Sequence, residues 1–165
     1  MAIRIGLLSG TAVFVLGAAD RFLTMPLLTA AIGPTAYVFV AHPHSEASRL
    51  RNAVIGHATA IGVGLLALAT FGLWNAQSTV AIGHATLAQA GASGMAVAIT
   101  LGLLHVLHTH HAPAAATTLL VATGLAHPGK PLIGLAVGLV GLMLMVPMLG
   151  SMPLLPYDPE ESPND

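Results

Sequence analysis

The chain has 165 residues, of which 55% are hydrophobic and only 7% charged, for a net charge of −1, whereas soluble domains carry roughly 25% charged residues. A mean hydropathy of +0.83 favours hydrocarbon over water for most segments, which excludes an ordinary soluble domain. No Lys/Arg cluster exists to neutralise phosphates, which excludes a nucleic-acid binder, and the lack of cysteine removes disulfides, thiolate metal sites and Cys nucleophiles together.

No Asp, Glu, Lys or Arg occurs over residues 52–129, a run several membrane passes long at roughly 20 residues each. In chain order, Ile3 to Ala19 forms a first apolar span closed by Asp20-Arg21. Arg4 and the small-residue end Gly17-Ala18-Ala19 also resemble a signal peptide. Apolar sequence resumes at Phe22, which favours a retained span. Residues 22–41 are apolar but interrupted by Pro26 and by Gly33-Pro34, so they read as a broken helix with a short new helix starting at Pro34. The polar stretch 42–51 is a loop, and 52–74 is a span with Trp74 as interfacial anchor.

After a short connection at 75–78, a glycine- and alanine-rich span from Leu87 to Leu107 runs into the polar stretch LLHVLHTHHAP. A second proline-started piece, Pro113 to Ala126, precedes His127-Pro128-Gly129-Lys130-Pro131. The last span, Leu132 to Gly150, carries Gly134 and Gly138 four residues apart, suited to close helix contact. The tail 151–165 is Pro-rich and acidic and is expected to be disordered. The fold class is therefore all-α, a polytopic membrane helix bundle with two proline-started broken or re-entrant helices.

An internal repeat is suggested by the order span, broken segment, span, which occurs twice, with VIGHA at 54–58 matching LIGLA at 132–136. If the broken segments are re-entrant, four spans put Arg21, Arg49, Arg51 and Lys130 on one side against Arg4. If they cross, six spans split Arg4, Arg49 and Arg51 from Arg21 and Lys130. The positive-inside rule prefers the first, with 20–51 and 110–131 cytoplasmic.

A helix that begins with proline leaves first-turn N–H groups free at its positive dipole end, here around Thr35-Ala36-Tyr37 and Ala114-Ala115-Ala116. Two such ends near the bilayer midplane can bind an anion without charged side chains. Pro34 and Pro113 as mere kinks of spanning helices is an equally open reading. His105, His108 and His111 are spaced by three, with His110 beside them, which suits a metal or a proton relay. No Cys, Asp or Glu lies near to complete a metal set, so polar helix-end histidines bonding to backbone are the preferred reading. His57, in mid-span, is a functional candidate or a helix-helix hydrogen bond. Arg49 and Arg51 read first as topology determinants, and Thr117 and Thr118 as hydroxyls bonding back to the preceding turn.

The stretch HHAPAAATTLLVATGL at 110–125 resembles the signature of the HPP family of integral membrane proteins, a His-Pro-Pro followed by Ala-Gly-Ala-Thr and an apolar run. IGPTAYVFVAHP at 32–43 and RLRNAVIGHA at 49–58 resemble the family's other recurring region, so the likeness spans about residues 30–150. His111 stands for the motif histidine, Pro113 for its second proline and Thr117 for its threonine, while Arg51-Asn52, Gly56 and His57 match the second pattern. Ala112 and Ala115 depart from it, replacing the first proline and the glycine. The resemblance implies a four-span protein and, from plant and cyanobacterial members associated with nitrite transport, a small-anion permease.

The resulting expectation is a small-anion, nitrite-like transporter or channel, passive or proton-coupled, that binds its substrate at half-helix N-termini. The substrate-binding candidates are Pro34, Thr35, Arg51, Asn52, His57, His111, Pro113, Ala114 and Thr117. No cofactor or resident metal is expected; the partners are a small inorganic anion, the lipid bilayer and further copies of the chain, in a bacterial inner membrane. The alternatives are a histidine-rich metal-binding membrane protein and a structural subunit without transport. An enzyme is not expected, because the neutral run holds no carboxylate base and no Ser-His-Asp or Cys-His set.

Overall fold

The computed structural model describes residues 2–150; the acidic tail lies outside the described residues. Among these the secondary structure is all helical: α1 (Ala2–Leu23), α2 (Ile32–Ala41), α3 (Leu50–Thr70), α4 (Thr79–Ile82), α5 (Leu87–Val106), α6 (Ala114–Ala122) and α7 (Lys130–Gly150), with a 3-10 turn at Glu46–Ser48. Three of them, α1, α3 and α5, are long and apolar enough to cross a membrane by length and composition. Local chemistry sets the ends. Thr86 and Gln89 form a capping box that starts α5. Gly72, with φ of 67°, closes α3 as Leu73 N–H returns to the Leu68 carbonyl at 2.8 Å.

The six longer helices form two triads. In one, α1, α2 and α7 pack on one another; in the other, α5, α6 and α3 do. The two halves of the sequence thus exchange their third helices, α7 joining the first half and α3 the second. The correspondence extends to detail. Among the described residues, the two non-glycine residues with positive φ are Thr24 (51°), which follows α1, and His108 (49°), which follows α5. Gly56 of α3, in VIGHA, and Gly134 of α7, in LIGLA, each receive the chain that leads into the other half's short helix. A Cβ at Gly56 would meet His111 at 3.1 Å, and one at Gly134 would meet the Pro26 carbonyl oxygen at 2.8 Å. In hydrocarbon, where apolar burial drives little association, such small-residue contacts supply the packing.

The path of α6 is that of a broken helix running alongside α3. Ahead of α3, the Ala47 carbonyl bonds His111 at 2.7 Å. Along α3, Gly56 packs on His111 and Ala114, and Gly64 on Val121 and Thr118. Beyond α3, the Trp74 carbonyl bonds His127. Residues 111–127 therefore run parallel to α3 over its whole length, about 31 Å at 1.5 Å per residue, and the two ends of the 110–131 region lie at opposite ends of the bundle. A nine-residue helix covers this distance because non-helical turns extend it at both ends. The segment before α2 behaves alike, since Pro26 and Leu27 lie against Gly134 and Gly138 near the start of α7 while α2 ends at the 3-10 turn before α3. Arg49 and Arg51 consequently share one end, and Arg21 and Lys130 the other.

Candidate functional site

The amide that follows each proline is engaged. Pro34 is the third residue of α2, not the first, because Ala31 already holds a helical conformation and the Thr35 N–H bonds its carbonyl at 3.3 Å. Proline is tolerated there because first-turn N–H groups lack intrahelical acceptors in any case. Pro113 is the residue before α6, and the N–H groups of Ala114, Ala115 and Ala116 each bond the carbonyl three residues back, at 3.1 Å. These tight 3-10 bonds take up the donors expected to be free.

What α2 and α6 do present is side-chain hydroxyl. His57, in the second turn of α3, sits between them. Its Nε2 is 3.3 Å from Thr35 Oγ1 on α2, and its Nδ1 is 2.8 Å from Thr117 Oγ1 on α6. The same Nε2 lies 3.0 Å from Nε2 of His111. The rings meet edge to face with centroids 4.7 Å apart, and Phe39 of α2 packs edge-on against His111. All four polar residues are buried, His57 at 3% and His111 at 1% exposure.

The bonding pattern assigns the tautomers. A carbonyl only accepts, so His111 Nδ1 carries the hydrogen shared with Ala47 at 2.7 Å, and its neutral ring accepts at Nε2. His57 Nε2 then donates to His111, and its Nδ1 accepts from the Thr117 hydroxyl. Thr35 donates its own hydrogen to the Ala31 carbonyl at 2.7 Å, which leaves its oxygen as a second acceptor for His57 Nε2–H. The result is a directed chain from Thr117 through His57 and His111 to Ala47. Nearby, Thr118 donates to Thr100 Oγ1 at 3.0 Å.

An open pocket of about 340 Å³ lies at the Ala47 end of this chain, lined by Ala47, Leu104, His105, Thr109, His110 and His111 among others. The expected row of histidines at spacing three is broken: α5 ends at Val106, and His108 takes a left-handed backbone. Among the described residues no three His, Cys, Asp or Glu side chains converge as metal ligands do.

The transmembrane-region profile of the HPP family matches residues 1–151 of this sequence. The chain belongs to the HPP transmembrane family. No curated protein and no solved structure matches it. In this HPP protein the motif histidine, His111, and the motif threonine, Thr117, both bond to His57, which itself belongs to the glycine-histidine pattern of the second matching region. Gly56 beside it allows the approach, because His111 and Ala114 occupy the space a Cβ would need.

The remaining candidates are dispersed. Arg51 is exposed and Pro34 is exposed on the outer face of α2, while Pro113 and Ala114 are buried at the start of α6. Asn52 is buried, but its Nδ2 donates to the Glu46 carbonyl at 2.9 Å, which clamps the turn that holds Ala47. Reading the sequence missed the Ala47 carbonyl, Phe39 and Thr109. A backbone acceptor carries no side-chain signal, and the other two look like ordinary helix and loop residues.

Proposed function

We propose that this HPP protein is a membrane transporter for a small inorganic anion of the nitrite type, working as a homo-oligomer in a bacterial inner membrane. The observation that carries the reading is the buried His57–His111 pair, fixed between two short helices at the foot of an open pocket. Ionisable groups held inside a membrane bundle mark substrate and ion pathways, and sites at repeat interfaces between broken helices suit alternating access. The pair lies where α2 of one triad meets α3 and α6 of the other. The first-turn amides of α6 being engaged, the member of the chain that meets the anion is His111, which lines the pocket, while Thr35, His57 and Thr117 hold it from behind. Pro113 and Ala114 act by setting the path of α6.

The test is nitrite uptake into proteoliposomes against protein-free vesicles, with His111→Ala and Pro113→Leu for comparison. Uptake above the empty vesicles that falls in both variants supports the reading. Uptake indistinguishable from empty vesicles under gradients of either direction overturns it.

A further inference from the structure

We infer that the His57–His111 pair takes up one proton, and only one, and that the transported anion enters the pocket as its counter-charge, so that a monovalent anion and a proton move together without net charge. The inference rests on the transport reading above and adds its stoichiometry and substrate class.

The capacity follows from counting ring hydrogens. The neutral pair carries two on four nitrogens: His111 Nδ1–H faces the Ala47 carbonyl at 2.7 Å and His57 Nε2–H faces His111 Nε2 at 3.0 Å. A third proton binds His57 Nδ1 once the Thr117 hydroxyl turns away, its oxygen then accepting across the same 2.8 Å. Every ring N–H still has an acceptor, whichever ring holds the charge, because the middle hydrogen can lie on either Nε2. A fourth would set two N–H groups of two cations head to head across 3.0 Å, which neither Coulomb repulsion nor hydrogen bonding permits in a low-dielectric interior. The added proton forms one N–H bond and nothing else changes in the covalent structure.

A cation so deeply buried needs a partner, and the surroundings supply none. On α2 the titratable groups are Tyr37, exposed, and His42 just past its end, also exposed and edge-on to it. On the 3-10 turn Glu46 is exposed and already 3.4 Å from Arg49 and 3.8 Å from His110. Arg51 of α3 is exposed, and α5 contributes His105 to the pocket wall. Residues 114–122 of α6 hold no titratable side chain. The pocket reaches His111 and is open at the Ala47 end, so an anion seated there is what neutralises the protonated pair. By linkage, each ligand then raises the affinity for the other.

The experiment uses the full chain in proteoliposomes, with nitrite as probe, an entrapped pH dye for protons, and protein-free vesicles subtracted. The expected result is one proton taken up per nitrite, with initial rates that rise when the outside is made more acidic and do not respond to a potassium diffusion potential of either sign. His57→Gln, which keeps a donor toward His111 but cannot be charged, is expected to lower the proton-linked rate by about tenfold or more, the range of a lost proton-transfer group. Protein-dependent nitrite uptake that follows the membrane potential, or that moves no protons, overturns this inference while leaving transport standing. No protein-dependent flux at all overturns both readings.

Discussion

The Nε2 atoms of His57 and His111 stand 3.0 Å apart, although 54 positions separate the two residues in sequence. Both are held by groups that do not titrate, Thr117 at one end and the Ala47 carbonyl at the other. Thr117→Val keeps the shape of the side chain and removes the hydroxyl that His57 Nδ1 requires. The expected outcome is a loss of about 1 kcal/mol in stability, the net worth of one such bond, and nitrite uptake that no longer rises on acidification. Thr117→Ser restores the pH response. Thermal unfolding in detergent and uptake at several pH values check both parts.

The closeness of the two rings depends on a missing side chain. A Cβ at position 56 would lie 3.1 Å from His111 Cβ and 3.4 Å from Ala114 Cβ, neither of which can swing aside. Gly56→Ala is therefore expected to push the start of α6 off α3, destabilise by about 1–3 kcal/mol as overpacking does, and slow uptake. Gly62→Ala, on the same helix with nothing within 4 Å of the new atom, is the control and should leave uptake unchanged while raising stability by up to about 1 kcal/mol, the helix-propensity gain of alanine over glycine.

Asn52 tests whether the turn before α3 matters to the histidines. Its amide holds the Glu46 carbonyl at 2.9 Å, one residue from the Ala47 carbonyl that fixes the His111 tautomer. Asn52→Leu loosens the turn by removing one of the two donors to the Glu46 carbonyl, which keeps the Arg49 N–H at 3.2 Å, at a cost of about 1 kcal/mol. Uptake should fall through a lower kcat with little change in KM, because no contact to the anion is removed. A change confined to KM would instead assign Asn52 to the substrate.

The sequence displays the parts of this arrangement and conceals their joining. Histidine and threonine within a run free of Asp, Glu, Lys and Arg are visible, because polar groups in hydrocarbon stand out. That Thr35 and Thr117 meet on one imidazole is a matter of tertiary packing that no spacing encodes. Gly134 and Gly138 look like a helix-helix contact, yet they receive the non-helical chain at Pro26 and Leu27, since a row of small residues admits any backbone. Pro34 marks the first turn of α2 but not its first residue, because proline is compatible with several positions whose N–H would go unused. His108 breaks the histidine row through its own backbone angle, which side-chain periodicity does not report.

The crossing of α6 is open to direct measurement, and the lack of cysteine makes labelling clean. Single variants His44→Cys and His110→Cys lie at the Arg49 end of the bundle, Asn75→Cys and Lys130→Cys at the Lys130 end, and all four positions are exposed. A membrane-impermeant maleimide added to intact cells or sealed vesicles should label one pair and spare the other until the membrane is opened. In a four-span arrangement with α6 re-entrant, His110→Cys and Lys130→Cys would label together. Arg4, Arg49 and Arg51 outnumber Arg21 and Lys130, so the positive-inside tendency puts the Arg49 end in the cytoplasm, and the protected pair in intact cells should be 44 and 110. The pocket beside His111 would then open to the cytoplasm.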